Sequence, residues 1–209
     1  MKNSNASARA DLARFQSLGG RPPPREARAR ALLSVAAPAS GEPVRTRDGW
    51  TLLLRDIRAD DVDALRRGFA DLTAEEVRLR FLHPLNDMPA AMAREFCDID
   101  PDRAVALVLI EAAETHEPTI RAVARAYVDP ATLSAEFALI VQHGYAGQGL
   151  GTLLMRRLIG SVRQRGAIEI WGDVLNDNGP MLRLCEHLGF EHHLVAHDPG
   201  ITRVSLKLS

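Results

Sequence analysis

The chain has 209 residues, enough for one well-buried domain with some chain left over. It is 46% hydrophobic and 25% charged, with 26 basic against 27 acidic side chains, so no global charge draws it to nucleic acid or to an anionic membrane. The apolar runs are strand-sized and too short to span a bilayer, no secretory signal opens the chain, and two cysteines make neither a disulfide framework nor a zinc site. A cytoplasmic location is the expectation.

Residues 1–43 stand apart. Seven basic residues between Lys2 and Arg30 face only Asp11 and Glu26, and Gly19-Gly20, Pro22-Pro23-Pro24, Pro38, Gly41 and Pro43 break the segment. It reads as a flexible basic tail with a short helix over 8–18, or as a docking arm for a partner. Residues 44–209 form the expected domain.

Residues 51–58 read as a strand and 60–69 as a helix opened by Asp60. Thr73 with Glu76 is a capping-box pattern that starts a helix running to Phe81 and ending before Pro84. Residues 89–97 are helical again. Three strands follow, over 104–110, 120–127 and 135–142, joined by turns short enough for an antiparallel meander. Leu150, Leu153, Leu154, Leu158 and Val162 share the inner face of a helix over 150–165, closed by Gly166. A strand over 168–174, a helix over 180–188 and a final pair of strands after Gly189 complete a mixed α/β domain.

The chemistry gathers where the 135–142 strand meets the 150–165 helix. Gly147, Gly149 and Gly151 let the backbone come close to a ligand, and the helix that follows offers unpaired N–H groups at its first turn. Strand, glycine turn and helix N-terminus suit a pyrophosphate. The dinucleotide pattern fails, because its third glycine would fall on Thr152, or on Leu154 if started at Gly149. The Walker pattern fails because Gly151 stands where a lysine is needed. Tight strand–helix packing is the other reading of such a turn.

The run Gly147-Gln148-Gly149-Leu150-Gly151, then Thr152-Leu153-Leu154, resembles the acetyl-CoA loop of the GNAT acetyltransferase superfamily. That family's pattern is Gln or Arg, two residues, Gly, one residue, then Gly or Ala. Its glycines fall on Gly149 and Gly151, and its first position falls on Ala146, a departure. Asn178, followed by Met181 and by Leu188-Gly189-Phe190, resembles the second half of the family, in which an Asn opens a helix. The resemblance implies a mostly antiparallel central sheet flanked by helices, with acetyl-CoA as acyl donor and no metal. It implies a cofactor site at Ile140, Val141, Gly147, Gln148, Gly149, Leu150, Gly151, Thr152, Asn178 and Met181. Asn178 also reads as a plain helix N-cap.

The segment from Leu72 to Phe81 is similar to bacterial protein-lysine acetyltransferases of the Pat type, as are Ala135-Glu136-Phe137-Ala138 and Asp198-Pro199-Gly200. This implies a protein lysine ε-amine as acceptor. A small-molecule amine, or a module that binds CoA without catalysis, are the alternatives. Transfer to an amine needs a proton acceptor. Glu136 resembles the subgroup's general base, and apolar neighbours would raise its pKa; the other reading points it to solvent. A backbone N–H at Ile140 or Val141 is the expected oxyanion donor. Where the family often has a tyrosine acid, seven residues after the Asn, this chain has Cys185, which also reads as a structural thiol. His192, His193 and His197 read as solvated or core-edge side chains rather than metal ligands. Arg78 and Arg80 read as surface residues of a helix.

Overall fold

The computed structural model describes residues 41–111 and 117–208. The helix expected over 8–18 lies outside the described residues. Among the described residues, eight strands form one sheet in the order β1-β2-β3-β4-β5-β6-β8-β7. They are β1 (Glu42–Arg45), β2 (Thr51–Asp56), β3 (Ala104–Glu111), β4 (Thr119–Val128), β5 (Ser134–Val141), β6 (Glu169–Leu175), β7 (Glu191–Leu194) and β8 (Ile201–Lys207). Every neighbouring pair is antiparallel except β5–β6. The sheet is thus mixed and mostly antiparallel, as the sequence implied, and β3 to β5 form the expected meander.

β1 was not expected, because Gly41 and Pro43 read as breakers. Among the described residues it is an edge strand that pairs with β2 alone, with Pro43 opposite Leu53. A proline costs an edge strand no ladder bond on its open side, so Pro43 is tolerated there.

Helices α1 (Val62–Ala70), α2 (Ala74–Phe81) and α3 (Ala90–Cys97) cover one face of the sheet, and α4 (Leu150–Gln164) and α5 (Gly179–His187) cover the other. Alternation along the strands divides the core between them. Ala135, Phe137 and Leu139 of β5 pack with Leu154, Met155 and Leu158 of α4. Ala106, Val108 and Ile110 of β3 pack with Leu65, Phe69, Ala93 and Phe96 under α1 and α3.

The capping box of α2 forms as expected. Thr73 Oγ1 accepts the Glu76 N–H at 3.2 Å, and Glu76 Oε2 accepts the Thr73 N–H at 2.8 Å. The start of α1 differs from expectation. A 3₁₀ turn over Ala59–Asp61 precedes it, and Asp61 rather than Asp60 does the work. The Asp61 carboxylate is buried, accepts the Arg58 N–H at 2.8 Å and takes both Arg55 terminal nitrogens at 2.7 Å. α4 closes at Gly166, whose N–H returns to the Arg163 carbonyl at 3.0 Å.

Candidate active site

The site begins where two strands part. β5 and β6 pair in parallel over only three residues, ending with Glu136 opposite Trp171. Beyond that point Phe137, Ala138 and Leu139 of β5 and Asp173 and Val174 of β6 line a gap between the strands. Asn178 and Met181 of the following loop and helix close it from one side, Leu79 and Arg80 of α2 from the other.

β5 alternates across the sheet, so Glu136, Ala138 and Ile140 project toward α1–α3 while Phe137 and Leu139 enter the α4–α5 core. Glu136 therefore stands half-buried at the closed end of the gap, on the α2 side. The neighbours differ from the apolar set expected of it, because the Arg80 charge interacts with the Glu136 carboxylate.

The gap widens into a groove of about 330 Å³ at the C-terminal end of β5, within the usual range for a small-molecule site. Ile140, Val141, Gly147, Gly149, Leu150, Gly151, Asn178 and Met181 all line it, so the structure brings together eight of the residues named from the sequence. Gly149 is the N-cap of α4 at φ 82°, a left-handed conformation that favours glycine. The first intrahelical bond of α4 runs from the Leu153 N–H to the Gly149 carbonyl at 3.0 Å. The amides of Leu150, Gly151 and Thr152 precede it and point out of the helix start as anion donors. Gly151 permits close packing: a Cβ there would lie 3.3 Å from Leu184 Cδ2 and 3.6 Å from Leu139 Cδ2.

Two named residues serve otherwise. Gln148 turns away to the β1–β2 turn, accepting the Arg47 N–H at 2.9 Å and donating to Asp48. Thr152 contributes its place in the first turn of α4 rather than a side chain in the groove. The amide of Ile140 is also excluded as an oxyanion donor. The Gln142 N–H donates to Arg121 on β4 at 3.0 Å, and the β4–β5 register runs without a shift, so Ile140 exchanges its backbone bonds with Val123. The same alternation turns the amides of Leu139 and Val141 toward the gap. Ile140 keeps its side chain in the groove wall.

The rim is held by residues that the sequence did not single out as functional. Glu76 lines the groove and accepts the His143 N–H at 2.6 Å, tying the start of α2 to the end of β5. Burial works against its charge, but hydrogen bonds from Thr73 and His143 outweigh burial and hold the carboxyl below the usual range. Arg78 bridges Glu75 on its own helix and Asp177 beside Asn178, both at 2.7 Å. Arg80, read as a surface residue, is half-buried and lines both the groove and the gap. The signal for it was Val77, three residues earlier on the same buried face of α2.

A groove ending in a cradle of helix-start amides, with a strand edge leading to a carboxylate, fits an acyl-CoA thioester. The model of the Acetyltransferase (GNAT) family matches residues 71–190, more than half of the chain. The chain belongs to this family. As a GNAT protein it is an N-acetyltransferase that uses acetyl-CoA. An acetyltransferase of Pseudomonas aeruginosa is 29% identical over 145 residues, 68% of this chain and 76% of that protein. The Escherichia coli alanine N-acetyltransferase of ribosomal protein bS18 is 36% identical over 69 residues, 33% of this chain and 45% of the enzyme. Among solved structures, the GNAT domain of S. lividans Pat superposes with a TM-score of 0.70 at 24% identity, covering 83% of this chain and 100% of that one. A Salmonella typhimurium acetyltransferase with its cofactor acetyl-CoA has a TM-score of 0.55 at 19% identity, over 76% of this chain and 94% of that one.

Within the GNAT frame, Asn178 is both cap and groove wall. Its Oδ1 accepts the Met181 N–H at 3.2 Å, and the residue is buried beside the gap. Cys185 is fully buried in the α4–α5 core, and burial pushes its thiol up to about 12. It packs away from the groove lining and works as a core residue. Cys185→Ala is expected to leave kcat within about twofold and to cost stability of about 1 kcal/mol. Thermal denaturation and CoA release measure the two; a tenfold fall in kcat, of the order general acid catalysis contributes, would restore the thiol as the acid.

Proposed function

We propose that this enzyme transfers acetyl from acetyl-CoA directly to an amine, a lysine ε-amine on a protein, and that Glu136 accepts the ammonium proton. The observation that carries this reading is the position of Glu136 at the last residue of β5 paired with β6, with the gap beginning at the next residue and the glycine cradle at the far end of the same strand. Leu150, Gly151 and Thr152 amides would hold the pyrophosphate, and the strand edge at Leu139 and Val141 would hold the pantetheine arm. The bound thioester supplies an acyl carbon open to attack. Glu136 removes a proton so that the amine nitrogen has a lone pair to give. The Val141 or Leu139 amide faces the side on which carbonyl charge develops.

Support for a lysine acceptor comes from the segment running from Leu72 to Phe81, which builds α2 over the site and resembles the Pat type, and from the superposition on the S. lividans Pat domain. The likeness to the E. coli enzyme over 69 residues favours an α-amine as second reading. The deciding experiment offers the enzyme acetyl-CoA with lysine-bearing proteins, N-terminal peptides, polyamines and amino acids, and follows CoA release and acetyl incorporation by mass. Acetyl on internal lysines is the expected result. Acetyl on α-amines or polyamines alone would replace the lysine reading, and CoA binding without transfer to any amine would make the chain a sensor.

A further inference from the structure

A second cavity lies beneath α1–α3, on the face of the sheet toward which Glu136 projects. Val123 and Arg125 of β4 and Ile140 of β5 form its floor, and Phe69, Phe81 and Phe96 stand around it. Ile140 and Arg80 line both this cavity and the cofactor groove, so the two spaces share a wall. Arg80 also lines the β5–β6 gap, which places one side chain at the junction of all three.

The chamber is apolar but carries charge. Arg125 is 6% exposed, donates from Nη2 to the Phe96 carbonyl at 2.5 Å and lies 4.5 Å from the centre of the Phe96 ring. Burial brings its pKa down to about 10. Burial and the Arg125 charge lower the pKa of Arg80, with Glu136 opposing the shift. A third arginine at the cavity, Arg121, is already neutralised by Glu111 and Asp71 at 2.6 Å each. The Arg125 guanidinium is enclosed in the apolar chamber and Arg80 stands at its edge with the Glu136 carboxylate facing it, so the Arg125 charge is costly to keep. A ligand that ends in an anion offsets that cost.

Size narrows the ligand. The cavity volume is about 50 Å³. A single water needs roughly 10–15 Å³ on this measure, so the space takes about four non-hydrogen atoms. A succinyl group exceeds an acetyl group by one methylene and one carboxylate, which is about four such atoms. We propose that this cavity receives the distal carboxylate of a dicarboxylic acyl group on Arg125 and Arg80, so that the enzyme takes succinyl-type CoA thioesters as donors besides acetyl-CoA. The inference rests on the acyl-transfer reading above. In the step, the amine nitrogen bonds to the thioester carbonyl carbon and the carbon–sulfur bond breaks, sulfur leaving with the electron pair. One ammonium proton passes through Glu136 to solvent, a second moves from nitrogen to the departing sulfur, and the distal carboxylate is unchanged.

The test compares acetyl-, butyryl- and succinyl-CoA with the full chain, measuring Kd by calorimetry without acceptor and kcat/KM with a common amine. Butyryl matches the succinyl chain length but lacks the carboxylate. Succinyl-CoA is expected to exceed butyryl-CoA by about tenfold or more in both quantities, the range of a charge-assisted hydrogen bond. Arg125→Met should abolish that preference and keep acetyl transfer within about threefold. Because Arg125 also anchors Phe96, Val123→Met serves as a second variant that fills the cavity and leaves this bond alone. It too should lose succinyl-CoA selectively. Succinyl-CoA binding and reacting no better than butyryl-CoA, or a preference unchanged in both variants, overturns the proposal. No transfer from any donor strikes at the acyl-transfer reading instead, and the calorimetric preference then decides the cavity by itself.

Discussion

Replacing Glu136 by Gln is expected to lower kcat by about two to four orders of magnitude while the Kd of acetyl-CoA stays near that of the wild type. The asymmetry follows from where the residue stands. Glu136 is at the closed end of the gap, paired with Trp171, whereas the groove that holds the cofactor opens toward Val141 and Gly147. Glutamine keeps the size and the hydrogen-bonding reach of glutamate and loses only the proton-accepting charge. The variant's residual rate should climb with pH toward the ordinary lysine pKa of about 10.4, because hydroxide then supplies the free amine that Glu136 otherwise prepares. Stopped-flow CoA release at several pH values reads this directly. Wild-type turnover across the range would remove Glu136 from the mechanism, and a matching rise in acetyl-CoA Kd would make it a structural residue of the gap.

Local chemistry was legible in the sequence wherever a few adjacent residues decide it. Thr73 and Glu76 announce the start of α2 because both halves of the capping box lie within one turn. The glycine turn announces the cradle because strand, turn and helix are contiguous. What the sequence withheld depends on how separate elements meet in the fold. Pro43 reads as a breaker until β1 is known to be an edge strand. The amide of Ile140 is committed to Val123 by the β4–β5 register, which a single strand does not reveal. The choice between Asp60 and Asp61 turns on Arg55 of β2 arriving beside one of them. Arg80 looks like a surface cation until α2 is laid against β5, where it meets Glu136. The surroundings of Glu136 include a helix some sixty residues earlier, which its sequence neighbours do not reveal.

The glycine cradle can be separated from the base by a substitution at its left-handed backbone position, Gly149. Gly149→Val is expected to raise the Kd of acetyl-CoA by about a hundredfold and to leave kcat at saturation nearly unchanged. A Cβ at Gly149 meets nothing within 4 Å, so crowding is not the cause. The penalty is the backbone itself, because φ 82° is strained for a β-branched residue. Relief of that strain rotates the peptide that sets the first turn of α4 and swings the Leu150, Gly151 and Thr152 amides off the anion. Each hydrogen bond to a charged group carries about 1.5–3 kcal/mol, so misplacing one or two gives the stated factor. Gly151→Ala is the contrast. Its obstacle is the far end of the Leu184 side chain at 3.3 Å, which can shift, so binding should weaken by less than about tenfold. Calorimetry with acetyl-CoA on both variants gives the comparison. If Gly149→Val binds within twofold of wild type, or no worse than Gly151→Ala, the anion is not held by the start of α4, and the pyrophosphate must be placed elsewhere along the groove.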